Sequence, residues 1–278
     1  MRLRIRHRSI YRYETPPRGA IVKLRLTPRA CASQSIESWR IEICRDCRLE
    51  QSEDAFGNIV HCFSVDGPLD RLTTVVEGEV ETFETSGVLR GAVERLPPAL
   101  FLRETPLTAP SERVRAFAQE VAAPRGDALS RLHELLASIF AVMTFDADSI
   151  RAATSAAEAF EEKRGGAQDS AHLFIACARA LEIPARYVSG YLWRVDAITE
   201  QTAGHAWAEA FVEGLGWVGF DPSHGVSPDE AYVRVAAALD CLGAAPIRGA
   251  HFGGGGEALD VSVNVSSPAA QAQSQSQA

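Results

Sequence analysis

The run AHLFIACARAL, residues 171–181, is apolar on nearly every side. Its length and composition suit a helix, and a helix without a polar face must be enclosed by other elements. Pro184 closes it, and GGAQDS in front supplies a glycine turn and a polar mouth containing Gln168 and Asp169, with His172 just inside. The fold therefore has to surround one central helix. With 278 residues, 46% of them apolar, the chain has the material for this as two modest domains or one large one.

Ahead of the helix, residues 1–90 consist of short alternating runs: LRIRH, YRYE, VKLRL, WRIEI, IVHCFSV and LTTVVEGEVETF. Breaks at TPPRG, TPR and DAFGN supply turns, so this part is expected to be an antiparallel β domain. Prolines gather between about 96 and 111 and mark a connection. Residues 91–265 then form the core. Ser111 is placed to cap one helix and Asp127 the next, and Ser155 with Glu158 has the capping-box spacing for a short third helix ending at Gly165. After the buried helix, ARYVSGYLW reads as a strand, and HAWAEAFV and GWVGFD form a hairpin around EGLG. Along HAWAEAFV, His205, Trp207, Glu209 and Phe211 share one face, and Ala206, Ala208, Ala210 and Val212 the other. ALDVSVNV is a last strand. The low-complexity stretch 266–278 is expected to be a disordered tail, and no internal repeat is visible.

A net charge of −8 and a pI near 5.4 argue against nucleic acid as a partner. Arg2, Arg4, Arg6 and Arg8 lie on one face of a strand, read as a solvated edge face. There is no apolar leader core and no run of roughly 18 apolar residues, so neither export nor a membrane span is expected and the location is read as cytoplasmic. Six cysteines are too few for a disulfide scaffold. Cys44 and Cys47 form a CxxC without a convincing second ligand pair, and are read as strand residues; no metal or other cofactor is expected. Gly253–Gly256 lacks the Lys and Ser/Thr of a phosphate loop and is read as a flexible turn.

A glycine turn into a buried helix, followed by a hairpin bearing a His and then an Asp, is the layout of a thiol acyl-transfer site. A thiol at a helix amino terminus meets the positive end of the dipole and free N–H groups, which favour both thiolate and oxyanion. A His across the cleft moves the proton, and a carboxylate orients the imidazole.

On GGAQDSAHLFIACARALEIPARYVSGYLW, HAWAEAFVEGLGWVGFDPSHG and IRGAHFGGGGEALDVSV, the chain resembles the bacterial transglutaminase-like proteins of the papain-like cysteine acyl-transferase group. MRLRIRHRSIYRYE and DAFGNIVHCFSV are similar to the β domain that precedes the core in that family. The resemblance implies an α+β fold, a peptide or protein substrate, His205 as general base, Asp221 as orienting acid, and Ala167 at the position of the nucleophilic cysteine. Alanine has no nucleophile, so the covalent route is closed in the chain as written. Cys177 cannot replace it, lying about 15 Å along the helix and about 80° around it. Two accounts stand: an engineered loss of the nucleophile, or a natural pseudoenzyme serving as a peptide- or protein-binding module.

Around this site Gln168, Tyr191, Trp193 and Trp207 are candidates for lining a substrate cleft, with core packing as the alternative for the aromatics. Asp169 is read as stabilising the helix amino terminus, His172 as a core or supporting histidine, and His224 as a competitor of His205 for Asp221. Simple pairing around an EGLG loop sets Asp221 opposite Ala208, roughly 10 Å along from His205, so a bulge or strong twist is required to join them.

Overall fold

The computed structural model describes residues 1–122, 126–146, 154–196 and 198–268. The amino-terminal part contains β1 (Arg2–Thr15), β2 (Gly19–Thr27), β3 (Gln34–Ile43), β4 (Glu50–Glu53), β5 (Ile59–Asp66), β6 (Arg71–Thr82) and β7 (Val88–Leu89). After a 3-10 turn at Pro98–Leu102 come α1 (Glu112–Val121), α2 (Ala128–Val142), β8 (Thr144–Phe145), α3 (Ala156–Glu162), β9 (Arg164–Gly165) and α4 (Ala167–Ala180). The remainder is β10 (Ala185–Leu192), β11 (Glu200–Gln201), β12 (His205–Val212), β13 (Gly216–Phe220), β14 (Tyr232–Ala238), β15 (Ile247–Phe252) and β16 (Gly255–Ser266). It is a mixed α+β fold. The low-complexity tail lies outside the described residues from 269 onward, and its first residue, Ser266, ends β16.

The expected caps form. Ser111 accepts from the Val114 N–H, Asp127 from Ser130, and Ser155 and Glu158 complete a reciprocal capping box. From Asp169 to Arg179 every residue of α4 is buried. One side of α4 packs on β10 and β12, in the sheet ordered β14-β10-β12-β13-β7, and α1, α2 and α3 also pack against it. The alternation along β12 decides which face it meets: Ala206, Ala208, Ala210 and Val212 join the core cluster of α4, and their small side chains let the helix approach the sheet.

The β domain is a sandwich. One sheet runs β11-β16-β1-β6-β3 and the other β15-β2-β5-β4, with Tyr11, Leu72 and Val76 of the first facing Val22, Leu24, Phe63 and Val65 of the second. The carboxy-terminal strands β15 and β16 thus pair with β2 and β1, far back in the sequence. Leu3, Ile5, Val80, Val263 and Val265 also belong to the α4 cluster, so sandwich and helical core share continuous apolar packing.

Some local expectations change. The Arg2–Arg8 face is not at an edge, because β1 lies between β16 and β6. It is the solvent face of an interior strand, where Arg2 and Arg4 pair with Glu79, and Arg6 and Arg40 with Glu77. Cys44 and Cys47 fall in the bend after β3 rather than within a strand, and all six cysteines are free. Gly253, Gly254 and Gly256 turn β15 into β16 with φ of 67°, 74° and 62°, and a Cβ on Gly254 would lie 2.5 Å from the Thr15 carbonyl.

Two predictions follow from burial. Phe174 is fully enclosed and stacks on Phe220 at 5.0 Å, so Phe174→Ala should lower unfolding free energy by about 3–5 kcal/mol in denaturant titration. His7, bonded to Tyr191 and Ser9, and His172, accepting from the Cys241 N–H, are buried. Burial lowers both to about 4, against the opposing pull of the Thr154 backbone and Asp240 in the case of His172. The unfolded chain therefore takes up protons first as pH falls. Stability should be complete above pH ~6.5 and decline toward pH ~4, by on the order of 3 kcal/mol per histidine. A flat unfolding free energy across that window, measured with His7→Phe as comparison, would contradict neutral burial.

Candidate functional site

Hairpin geometry brings the two predicted polar residues together. Val212 pairs with Gly216, so the loop is Glu213–Leu215, one residue shorter than EGLG. Gly214 and Gly216 make this turn with φ of 83° and 89°, a conformation costly for residues with a Cβ. The shorter loop sets Ala208 opposite Phe220, and Asp221 one step on, level with Trp207 instead of Ala208. It is then on the His205 face of β12 and one side-chain position closer. The required correction comes from loop length, and no bulge interrupts the β12–β13 register.

His205 Nε2 lies 2.6 Å from Asp221 Oδ2, with both side chains buried. The carboxylate is heavily solvated by protein donors: Oδ2 also faces His224 Nδ1 at 2.9 Å and accepts from the Tyr232 hydroxyl at 2.8 Å. Oδ1 accepts from the Ser223 N–H at 2.9 Å and the Ser223 hydroxyl at 2.6 Å. Burial alone would push Asp221 up; the charges of His205 and His224 and the bonds from them outweigh it and hold the group well below the ordinary carboxylate range. Asp221 is therefore ionised at any working pH.

The imidazole of His205 is held from several sides. It lies over Trp207 with ring centroids 6.2 Å apart, against Tyr232 at 5.7 Å, and meets the edge of His224 at 5.2 Å. With Nε2 donating to Asp221, the proton-free nitrogen is Nδ1, which has no hydrogen-bond partner among the described residues. This tautomer makes Nδ1 a base. His224, the competitor read from the sequence, does share Asp221 Oδ2 with His205, although from the exposed side.

Ala167 is the first residue of α4 and is half-buried. Just before it, Gly165 belongs to β9, which pairs in parallel with β8. Phe145 of β8 lies 6.2 Å, centroid to centroid, from His224. The mouth of α4 is thereby linked through one short strand pair to the His224–Asp221 cluster. Asp169 Oδ2 accepts from the Gly166 N–H at 2.9 Å, which is the predicted stabilisation of the helix amino terminus. A Cβ on Gly165 would stand 2.6 Å from that of Asp169, so glycine is required for this closure.

The cleft-lining candidates divide. Gln168 is half-buried in the first turn of α4, and Trp193 is half-buried, packed on the core with its backbone N–H on the Ala231 carbonyl. Tyr191 is buried between the two parts of the molecule, its hydroxyl on His7 and its ring against Trp39. Trp207 is buried in a small cluster with Val188, Leu192 and Tyr232. Trp207 thus packs beside His205, whereas Tyr191 lies on the opposite face of the sheet, against the β domain.

Sequence reasoning did not anticipate Tyr232 as a partner of Asp221, nor the role of Glu209. Glu209 takes Arg186 Nε at 2.6 Å and Arg234 Nε at 2.7 Å, and Arg186 extends to Glu94, between β7 and the 3-10 turn, at 2.9 and 3.0 Å. The Arg186 guanidinium also lies 3.9 Å from the centre of the Trp217 ring. Burial raises Glu209, yet Arg234 and Arg186 bring it down to about 2. Alternation placed Glu209 on the His205 face, but its partners come from strand register: Arg186 is its direct neighbour on β10.

Comparison with known proteins agrees with this architecture. A family model described as the transglutaminase-like superfamily matches residues 115–222, and one described as the bacterial transglutaminase-like N-terminal region matches residues 3–81. An uncharacterised protein of Mycobacterium leprae is 30% identical over 285 residues, covering 95% of this chain and 98% of its own. An uncharacterised protein of Mycobacterium tuberculosis is 29% identical, with 95% and 92% covered. A solved structure from Cytophaga hutchinsonii, described as a candidate cysteine protease, superimposes with a TM-score of 0.76 at 20% identity over 96% of this chain and 91% of that one, a likeness of fold. Built on this paired arrangement of β sandwich and helix-on-sheet core, the chain belongs to the transglutaminase-like superfamily.

Proposed function

We propose that the site is a cysteine acyl-transfer centre in which Ala167 occupies the nucleophile position, His205 is the general base and Asp221 orients it. The 2.6 Å contact of His205 Nε2 with a buried, ionised carboxylate carries this reading, because it leaves Nδ1 free to take a proton. A thiol at position 167 would begin α4, where the helix dipole and unpaired N–H groups favour thiolate and oxyanion. Attack on a glutamine or peptide carbonyl would form a thioester and expel an amine that takes the proton from His205. Water would then give hydrolysis, and an amine transamidation; the family resemblance favours hydrolysis.

As written the chain lacks that sulfur, and its buried cysteines do not supply it: burial pushes Cys241 up to about 12 and Cys177 higher still. A second reading, a non-catalytic module that holds a peptide or partner protein in the same cleft, rests on Ala167 itself. A reducing, cytoplasmic setting is in keeping with six free thiols.

The test is Ala167→Cys, followed by alkylation mapped to residue 167 by mass spectrometry, because Cys44 is also exposed. We expect iodoacetamide to react there well below pH 8, with peptide hydrolysis, and His205→Ala in that background to cost about a hundredfold or more in rate. Reactivity that follows an unperturbed thiol near pH ~8.5 would sink the acyl-transfer reading. In the unaltered chain, nitrogen-15 spectra should show neutral His205 as the Nε2–H tautomer; an Nδ1–H signal would be incompatible with the assigned base.

A further inference from the structure

Beyond acyl transfer, and independently of what occupies position 167, we propose that His205, Asp221 and His224 form a binding site for a divalent transition metal, with Zn2+ as the fitting ion. One ligand atom from each residue, the two ring nitrogens and a carboxylate oxygen, lies within 4.8 Å of the others. Two imidazoles, borderline donors that suit zinc, copper or nickel, beside one harder carboxylate make a set that favours these ions over magnesium or calcium.

The ligands stand on a built frame. His205 opens β12, and Asp221 follows β13 across a short hairpin. His224 is folded back over Asp221 by a turn in which the Gly225 N–H meets the Asp221 carbonyl at 2.9 Å and the Asp221 N–H meets the Val226 carbonyl at 2.8 Å. Gly225 holds this turn with φ of 68°. Outer groups already orient the carboxylate: the Ser223 hydroxyl at 2.6 Å on Oδ1 and the Tyr232 hydroxyl at 2.8 Å on Oδ2. Three protein ligands leave a position for water, on the side where His224 is 38% exposed.

The present spacings, 2.6 Å for His205 to Asp221 and 2.9 Å for His224 to Asp221, are those of hydrogen bonds. Tetrahedral zinc at ~2.0–2.1 Å from each ligand separates them by about 3.3 Å, so entry opens the His205–Asp221 contact by about 0.7 Å and the His224–Asp221 contact by about 0.4 Å. His224, on the exposed side, can supply the second movement, and the first is taken up within the buried His205–Asp221 pair. Each neutral imidazole shifts its proton to the other ring nitrogen as the metal takes the lone pair, with no net proton loss. His205 would then carry hydrogen on Nδ1. Metal occupancy and service of His205 as a base therefore exclude each other.

The experiment uses the full chain, Ala167 included, titrated with zinc sulfate in calorimetry, with magnesium as control. Expected is one Zn2+ per chain with micromolar affinity, weakened at least about tenfold in His224→Ala and unchanged in the Cys44→Ser/Cys47→Ser variant. Proton spectra of the unaltered chain should show both histidine rings shifting on zinc addition, which reads the site without relying on a variant. Absence of binding up to about 1 mM zinc, undiminished affinity in His224→Ala, or loss in the cysteine variant would overturn the proposal.

Discussion

The enclosure of α4 is possible only because both of its ends find hydrogen-bond partners away from water. A buried helix terminus with unmet N–H or C=O groups costs free energy comparable to the apolar gain of several side chains. At the amino end the Asp169 carboxylate takes the Gly166 N–H. At the other end the Leu181, Glu182 and Ile183 N–H groups meet the carbonyls of Cys177, Arg179 and Ala178, and the Arg179 guanidinium donates to the carbonyls of Phe101, Ala185 and Leu239 and to the Thr108 hydroxyl. The partners of the guanidinium lie in the connecting segment, at the start of β10 and after β14. One buried arginine therefore fixes where the chain enters and leaves the core, and burial lowers it only to about 10, so it keeps its charge.

With α4 fixed, β12 divides the molecule chemically. Its alanine face gives the helix a smooth apolar bed, and its other face collects His205, Trp207 and Glu209. Each polar side chain on that second face is answered across the sheet, Glu209 by Arg186 and Arg234, His205 by Asp221. Buried pairs of this kind give little net stability, but removing one partner strands the other in a low-dielectric setting. Their value is positional. They hold imidazole and carboxylate in one geometry without help from a substrate.

That geometry carries more than one chemistry. Under the proposed function a thiol at the mouth of α4 would give His205 Nδ1 a proton to accept; with alanine there, two imidazoles still flank one anion. The same carboxylate that orients a base would serve as the hard donor of a metal site. His224 decides between them, because it approaches Asp221 from solvent and is not packed into the core.

Much of this protein was legible in one dimension. The capping residues Ser111, Asp127 and Ser155, the all-round apolarity of α4, and the two-faced character of β12 depend on near neighbours, and the sequence alone determined them. The family motif likewise placed Ala167, His205 and Asp221 on their elements. Tertiary structure decided the rest. Whether Asp221 reaches His205 turned on a hairpin loop of three residues instead of four, a choice made by left-handed glycines and sheet register together. Tyr232, Arg186 and Arg234 joined the site only through strand order, and β16 returned to pair with β1 across most of the chain. Local propensity acts over a few residues, whereas register and long-range pairing follow from which apolar faces can be buried at once, and that is settled only when the whole chain packs.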